Sequence, residues 1–158
     1  MTQSHLARVI DRTALIENML DQILSGFCRP AQTAQLFFGE VLLDSSVMPL
    51  GSKVKAVMAL AQMLDIKLDP AAMHKVISLR NAFAHHATDS HMTFDVTDDP
   101  SAASISPKLY ILSTSGKIRK VKHTEALEEF DLAFIEARNA LLALSAQVAS
   151  LVAQPRAG

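Results

Sequence analysis

The chain has 158 residues, 49% of them hydrophobic, which is enough for one domain with its own core and no metal or disulfide staples. Its 15 basic and 16 acidic side chains leave a formal charge of −1, so any nucleic-acid binding has to come from a local patch. Aromatic residues make up 5% and tryptophan is absent, which argues against base stacking on an aromatic platform.

The chain starts with the polar Met1-Thr2-Gln3-Ser4-His5, which lacks a signal-peptide pattern. Leu6, Val9, Thr13, Ile16, Leu20, Ile23 and Phe27 then recur at alternating spacings of three and four. That periodicity predicts one long helix from Thr2 to Phe27, ended by Gly26 and Pro30. The single Cys28 reads as a small buried residue in a reducing compartment. A shorter helix is expected from Ala31 to Leu43, with Leu36, Phe37, Val41 and Leu42 apolar. Ser52 reads as the N-cap of a third helix ending near Asp65, with Val54, Val57, Met58, Ala61 and Leu64 on its buried face. Asp69-Pro70 starts a fourth helix, which should run to His86.

Residues 91–122 break the helical pattern. Phe94 and Val96 suggest a short strand, and Asp98-Asp99-Pro100-Ser101 a loop. The runs from Lys108 to Ser113 and from Lys117 to Val121 flank Thr114-Ser115-Gly116 and read as a β-hairpin, or else as an excursion without fixed structure. A last helix from Thr124 to Ala153 carries the stripe Leu127, Phe130, Phe134, Ala137, Leu141, Leu144, Val148 and Leu151. The two terminal helices are natural packing partners, although the stripe also suits a second subunit. No run approaches the ~18 apolar residues of a membrane span. The expectation is one cytoplasmic, mainly all-α domain over residues 1–158. Its architecture would be an up-and-down bundle of about five helices with a small inserted β-hairpin and a frayed tail.

The fourth helix carries the chemistry. On a wheel of ~100° per residue, Met73, Val76, Leu79 and Phe83 form a core arc. His74, Ser78, Asn81 and His85 fall on the opposite arc, a stripe that also reads as a plain solvent face. Arg80 lies near the edge of the apolar arc, where its head either reaches out or pairs with an interior acid such as Asp21 or Glu40. Arg80 and His85 diverge by about 140°, so they meet on one phosphate only if the helix end distorts or a second subunit completes the site.

Arg80-Asn81-Ala82-Phe83-Ala84-His85 resembles the Arg-(polar)-x-x-x-His signature of the HEPN superfamily, helical-bundle domains that are typically dimers and often metal-independent endoribonucleases. Arg138-Asn139-Ala140-Leu141-Leu142-Ala143 begins the same way but lacks the histidine. The resemblance implies a homodimeric ribonuclease, a toxin or defence component, that needs neither metal nor cofactor. His85 would be general acid or base on the ribose 2′-hydroxyl, a nucleophile already beside the phosphorus. Arg80 would hold the phosphate and Asn81 would orient His85. Lys117, Arg119, Lys120 and Lys122, with His123, form a basic cluster suited to an RNA backbone, or to lysine protection of an edge strand.

A second stretch, from Pro49-Leu50-Gly51 to Leu60, is similar to part of the mannitol operon repressor family. It implies instead a non-catalytic regulator that binds a partner protein. His85, His86 and His91 lack an acidic or cysteine ligand at a telling spacing, so no metal site is expected.

Overall fold

The computed structural model describes residues 2–86, 92–95, 104–112 and 116–153. It is a mainly helical bundle with a small antiparallel sheet inserted before its last helix. Helix α1 spans Thr2–Cys28, α2 Gln32–Phe37, α3 Leu50–Met63, α4 Ala71–His86 and α5 His123–Ala153. Helix α2 continues as a π-helical turn over Phe38–Leu42.

The stripes read from the sequence build the centre of the bundle. Val9, Thr13, Ile16, Leu20 and Ile23 of α1 are buried, as are Phe130, Phe134, Ala137, Leu141, Leu144 and Val148 of α5. Helix α1 packs along α5, and α4 packs on both. Two ion pairs lock α1 to α5: Arg8 reaches Asp131 at 2.5 Å, and Arg12 binds the same carboxylate while lying over the Phe134 ring. Leu151 departs from the expected stripe and is exposed, because it lies one turn beyond Val148, the last buried residue of α5. By length and composition α5 is also apolar enough to cross a membrane, with a window of mean hydropathy 1.2. No continuous apolar run revealed this, because Glu136 and Arg138 interrupt the sequence.

The far ends of α1 and α3 lie within two residues of those expected, whereas the start of α3 and the surroundings of Cys28 differ. Helix α1 ends one residue past the expected Phe27, and the residue after it, Arg29, is left-handed at φ 43°, directly before Pro30. Cys28 is therefore the last residue of α1, and it is exposed rather than buried. Pro49, not Ser52, occupies the N-cap of α3, and the Ser52 N–H donates to the Pro49 carbonyl at 2.7 Å. At its other end α3 closes with Asp65 at φ 55°. The Ile66 N–H donates to the Ala61 carbonyl at 2.8 Å and the Asp65 N–H to the Gln62 carbonyl at 3.1 Å. That pair of bonds is a Schellman termination with aspartate where glycine is commoner. The Asp69 carboxylate then accepts from the Ala71 N–H at 2.9 Å and starts α4.

The sheet has three strands in the order β1-β2-β3, namely Met92–Asp95, Ser104–Leu112 and Ile118–Lys122. The first part of β2 pairs with β1 and its second part with β3, with Leu109 opposite Val121 and Ile111 opposite Arg119. Leu109, Ile111 and Val121 are buried against the bundle. Gly116, at φ 79°, supplies the left-handed conformation that the turn before β3 requires. Val96, the expected Asp98–Ser101 loop, Thr114-Ser115, Thr88-Asp89-Ser90, His91 and the 154–158 tail fall outside the described residues.

Candidate functional site

The segment Arg80 to His85 occupies the last turns of α4, which stays regularly α-helical to His86. Ala82 and Phe83 face the core, whereas Arg80, Asn81 and His85 are exposed. Arg80 sits beside the buried Leu79 and Phe83, and of the two alternatives for its head it takes the outward one. Its guanidinium donates to the Asn81 side-chain carbonyl at 3.1 Å.

Neither proposed interior acid claims Arg80. Glu40 is exposed. Asp21 is taken by Lys53, a residue of α3 only 1% exposed, whose ammonium lies 2.9 Å from Asp21 and 2.8 Å from Glu17. Burial works to raise both carboxyls. In Glu17 the hydrogen bonds from Lys53 and Ser45, with the charges of Lys53 and Arg80, outweigh it and hold the group below its ordinary value. In Asp21 burial, reinforced by the Glu17 charge, prevails over Lys53 and the carboxyl is raised. Among the described residues the Asp21 Oδ1 has no hydrogen-bond partner. Arg80 thus feels Glu17 through space but keeps its head at the surface.

Asn81 does not hold His85. Its carbonyl is engaged by Arg80, and among the described residues no hydrogen bond joins it to His85. The regular helix keeps Arg80 and His85 about 140° apart. A single chain therefore exposes the two groups in different directions around the helix and does not converge them.

The remaining residues of interest divide between two places. His74 and Ser78 of α4 line a groove of about 740 Å³, together with Lys117 and Arg119. Strand alternation sends Lys120 and Lys122 to the opposite face of the sheet, where Lys120 lies 5.6 Å from the Tyr110 ring centre. Arg119 is not simply a solvated cation. It grips Glu129 of α5 through two bonds of 2.8 and 2.6 Å, and Lys75 stands 3.7 Å from the same carboxylate. The Arg119 bonds hold the Glu129 carboxyl below its ordinary value. The expected basic cluster is thus two separate surfaces.

His123 also left that cluster. It is half-buried at the start of α5, stacked on His5 with the Nδ1 atoms 3.3 Å apart and edge-on to Phe83. Burial, then the His5 charge, lowers its pKa. Lys53 and the His5–His123 pair are the residues that the sequence reading missed.

Compared with known protein families, curated proteins and solved structures, the chain matches none.

Proposed function

We propose that this chain is a HEPN-like helical protein that cleaves RNA without a metal, at a site completed by a second copy. The observation that carries the reading is the exposure of Arg80, Asn81 and His85 together at the end of a regular α4, with Asp21 neutralised by Lys53 and not by Arg80. In this reading His85 of one subunit moves the 2′-hydroxyl proton, and Arg80 of the other holds the phosphate and the charge that develops on it. Asn81 acts on Arg80, fixing the guanidinium from the adjacent position. It is a positioning residue for Arg80 and not for His85. The test is cleavage of single-stranded RNA in EDTA. Wild type should cleave, and His85→Ala should lose about 10²–10⁴-fold in rate. Equal rates in both, or no cleavage in either, would contradict the reading.

A second reading is a protein-interaction module, in which the Arg80 to His85 segment is only a helix end. Leu36, 75% exposed, Phe37, 56% exposed, Val41 and Leu42 favour it, since together they put an apolar patch on α2 and the π-helical turn. A stable complex that is lost with Phe37→Ser and kept with His85→Ala would select this reading.

A further inference from the structure

Two grooves meet at the start of α4. The first, about 740 Å³, lies between α4 and the β2–β3 hairpin. The second, about 690 Å³, lies between α3, its terminal turn and the start of α4. Pro70 and His74 line both, so the His74 imidazole stands on the ridge between them.

Each groove repeats one chemistry. The first sets apolar Leu79, Ile111 and Ile118 beside Lys75, Lys117 and Arg119. The second sets Met58, Ile66 and Leu68 beside Lys55 and Lys67. One acid lines each, Asp69 and Asp65 respectively, so cations exceed acids on both sides of His74. The Glu129 carboxylate fixes Arg119 and draws in Lys75, which orders that edge. In a chain of net charge −1 this is a local concentration of cations.

Apolar surface bordered by cations, repeated on either side of a planar ring, suits a strand whose bases are unpaired. Base faces need apolar or aromatic contact and phosphates need cations. A duplex hides its base faces and uses only the cations. We propose that the two grooves form one track for single-stranded RNA, with successive nucleotides on either side of His74 and one base stacked on its imidazole. His74 and His85 are eleven residues apart, about 16 Å along the helix, so the track positions the strand and takes no part in the chemistry. The proposal rests on the RNA reading above.

The test uses the wild-type protein and a fluorescently labelled, 2′-O-methylated single-stranded RNA. That strand lacks the reacting hydroxyl and stays intact, so anisotropy reads binding alone. Lys67→Glu alters the second groove and Lys117→Glu the first, both at exposed positions, and His74→Ala removes the ridge. Each should weaken binding about tenfold, with the two charge reversals also flattening the salt dependence, and duplex RNA should compete poorly. Absence of binding by wild type, an unchanged affinity in either charge reversal, or equal competition by duplex overturns the track. Cleavage of unmodified RNA separates the two ideas. Binding without cleavage keeps the track and removes the ribonuclease; cleavage undiminished by all three substitutions does the reverse.

Discussion

Lys53 shows how one buried charge sets the surface chemistry nearby. Its ammonium is enclosed and answered by two carboxylates that remain partly exposed. Lys53→Met leaves Glu17 and Asp21 without their counter-ion. Because both acids keep some water, the cost should fall below that of a fully buried broken pair, at about 2–3 kcal/mol in denaturant melts. Adding Asp21→Asn should recover part of it.

His123 gives the pH dependence. Folding lowers its pKa below the ordinary 6.5, through burial and the His5 charge. Between the folded value and 6.5 the unfolded chain therefore binds more protons, so stability is complete above that window and falls as pH drops through it. His123→Gln should flatten this part of a stability–pH curve, and His5→Gln should flatten it partially. A curve unchanged by His123→Gln would contradict the assignment.

Among the elements, α1 and α5 were the most legible in the sequence. Each keeps an apolar spacing of three and four over many turns, and that spacing fixes a buried face whatever the partner. Leu141, fully buried at the middle of α5, should cost about 2–5 kcal/mol as Leu141→Ala, measured by chemical denaturation. The far ends of α1 and α3 were legible to within two residues, but the conformations that close the helices were less so. Gly26 stays inside α1, two residues before its end, because glycine lowers helix propensity without forbidding a helix. Asp65 carries a left-handed backbone that a Schellman turn demands, at a position where the sequence gives no glycine to mark it. Asp65→Gly should relieve that conformation and raise stability by about 0.5–1 kcal/mol in thermal melts. A loss of stability would show that the Asp65 side chain contributes more than its backbone costs.

At the scale of the whole molecule, the mainly helical bundle with its inserted sheet was readable from periodicity, because the helical period and the hairpin signals differ locally. The disposition of the site was not, since it depends on what packs beside α4. The apolar spacing of α3 picked out Val54, Val57, Met58, Ala61 and Leu64 as its buried face and passed over Lys53, which is buried beside Val54. Only the fold shows that Glu17 and Asp21 of α1 meet it, which leaves Arg80 at the surface. In the same way, strand alternation divided Lys117 and Arg119 from Lys120 and Lys122, and that division moved the candidate RNA surface to the grooves beside His74.

The central claim is that Arg80 and His85 work together across two subunits. Mixing Arg80→Ala protein with His85→Ala protein under exchange of subunits tests it most directly. In a mixed dimer one cleft receives an intact Arg80 from one chain and an intact His85 from the other. Metal-free RNA cleavage should therefore return to a substantial fraction of the wild-type rate, although each variant alone is inactive. A mixture as inactive as its components, with subunit exchange demonstrated, would contradict the account.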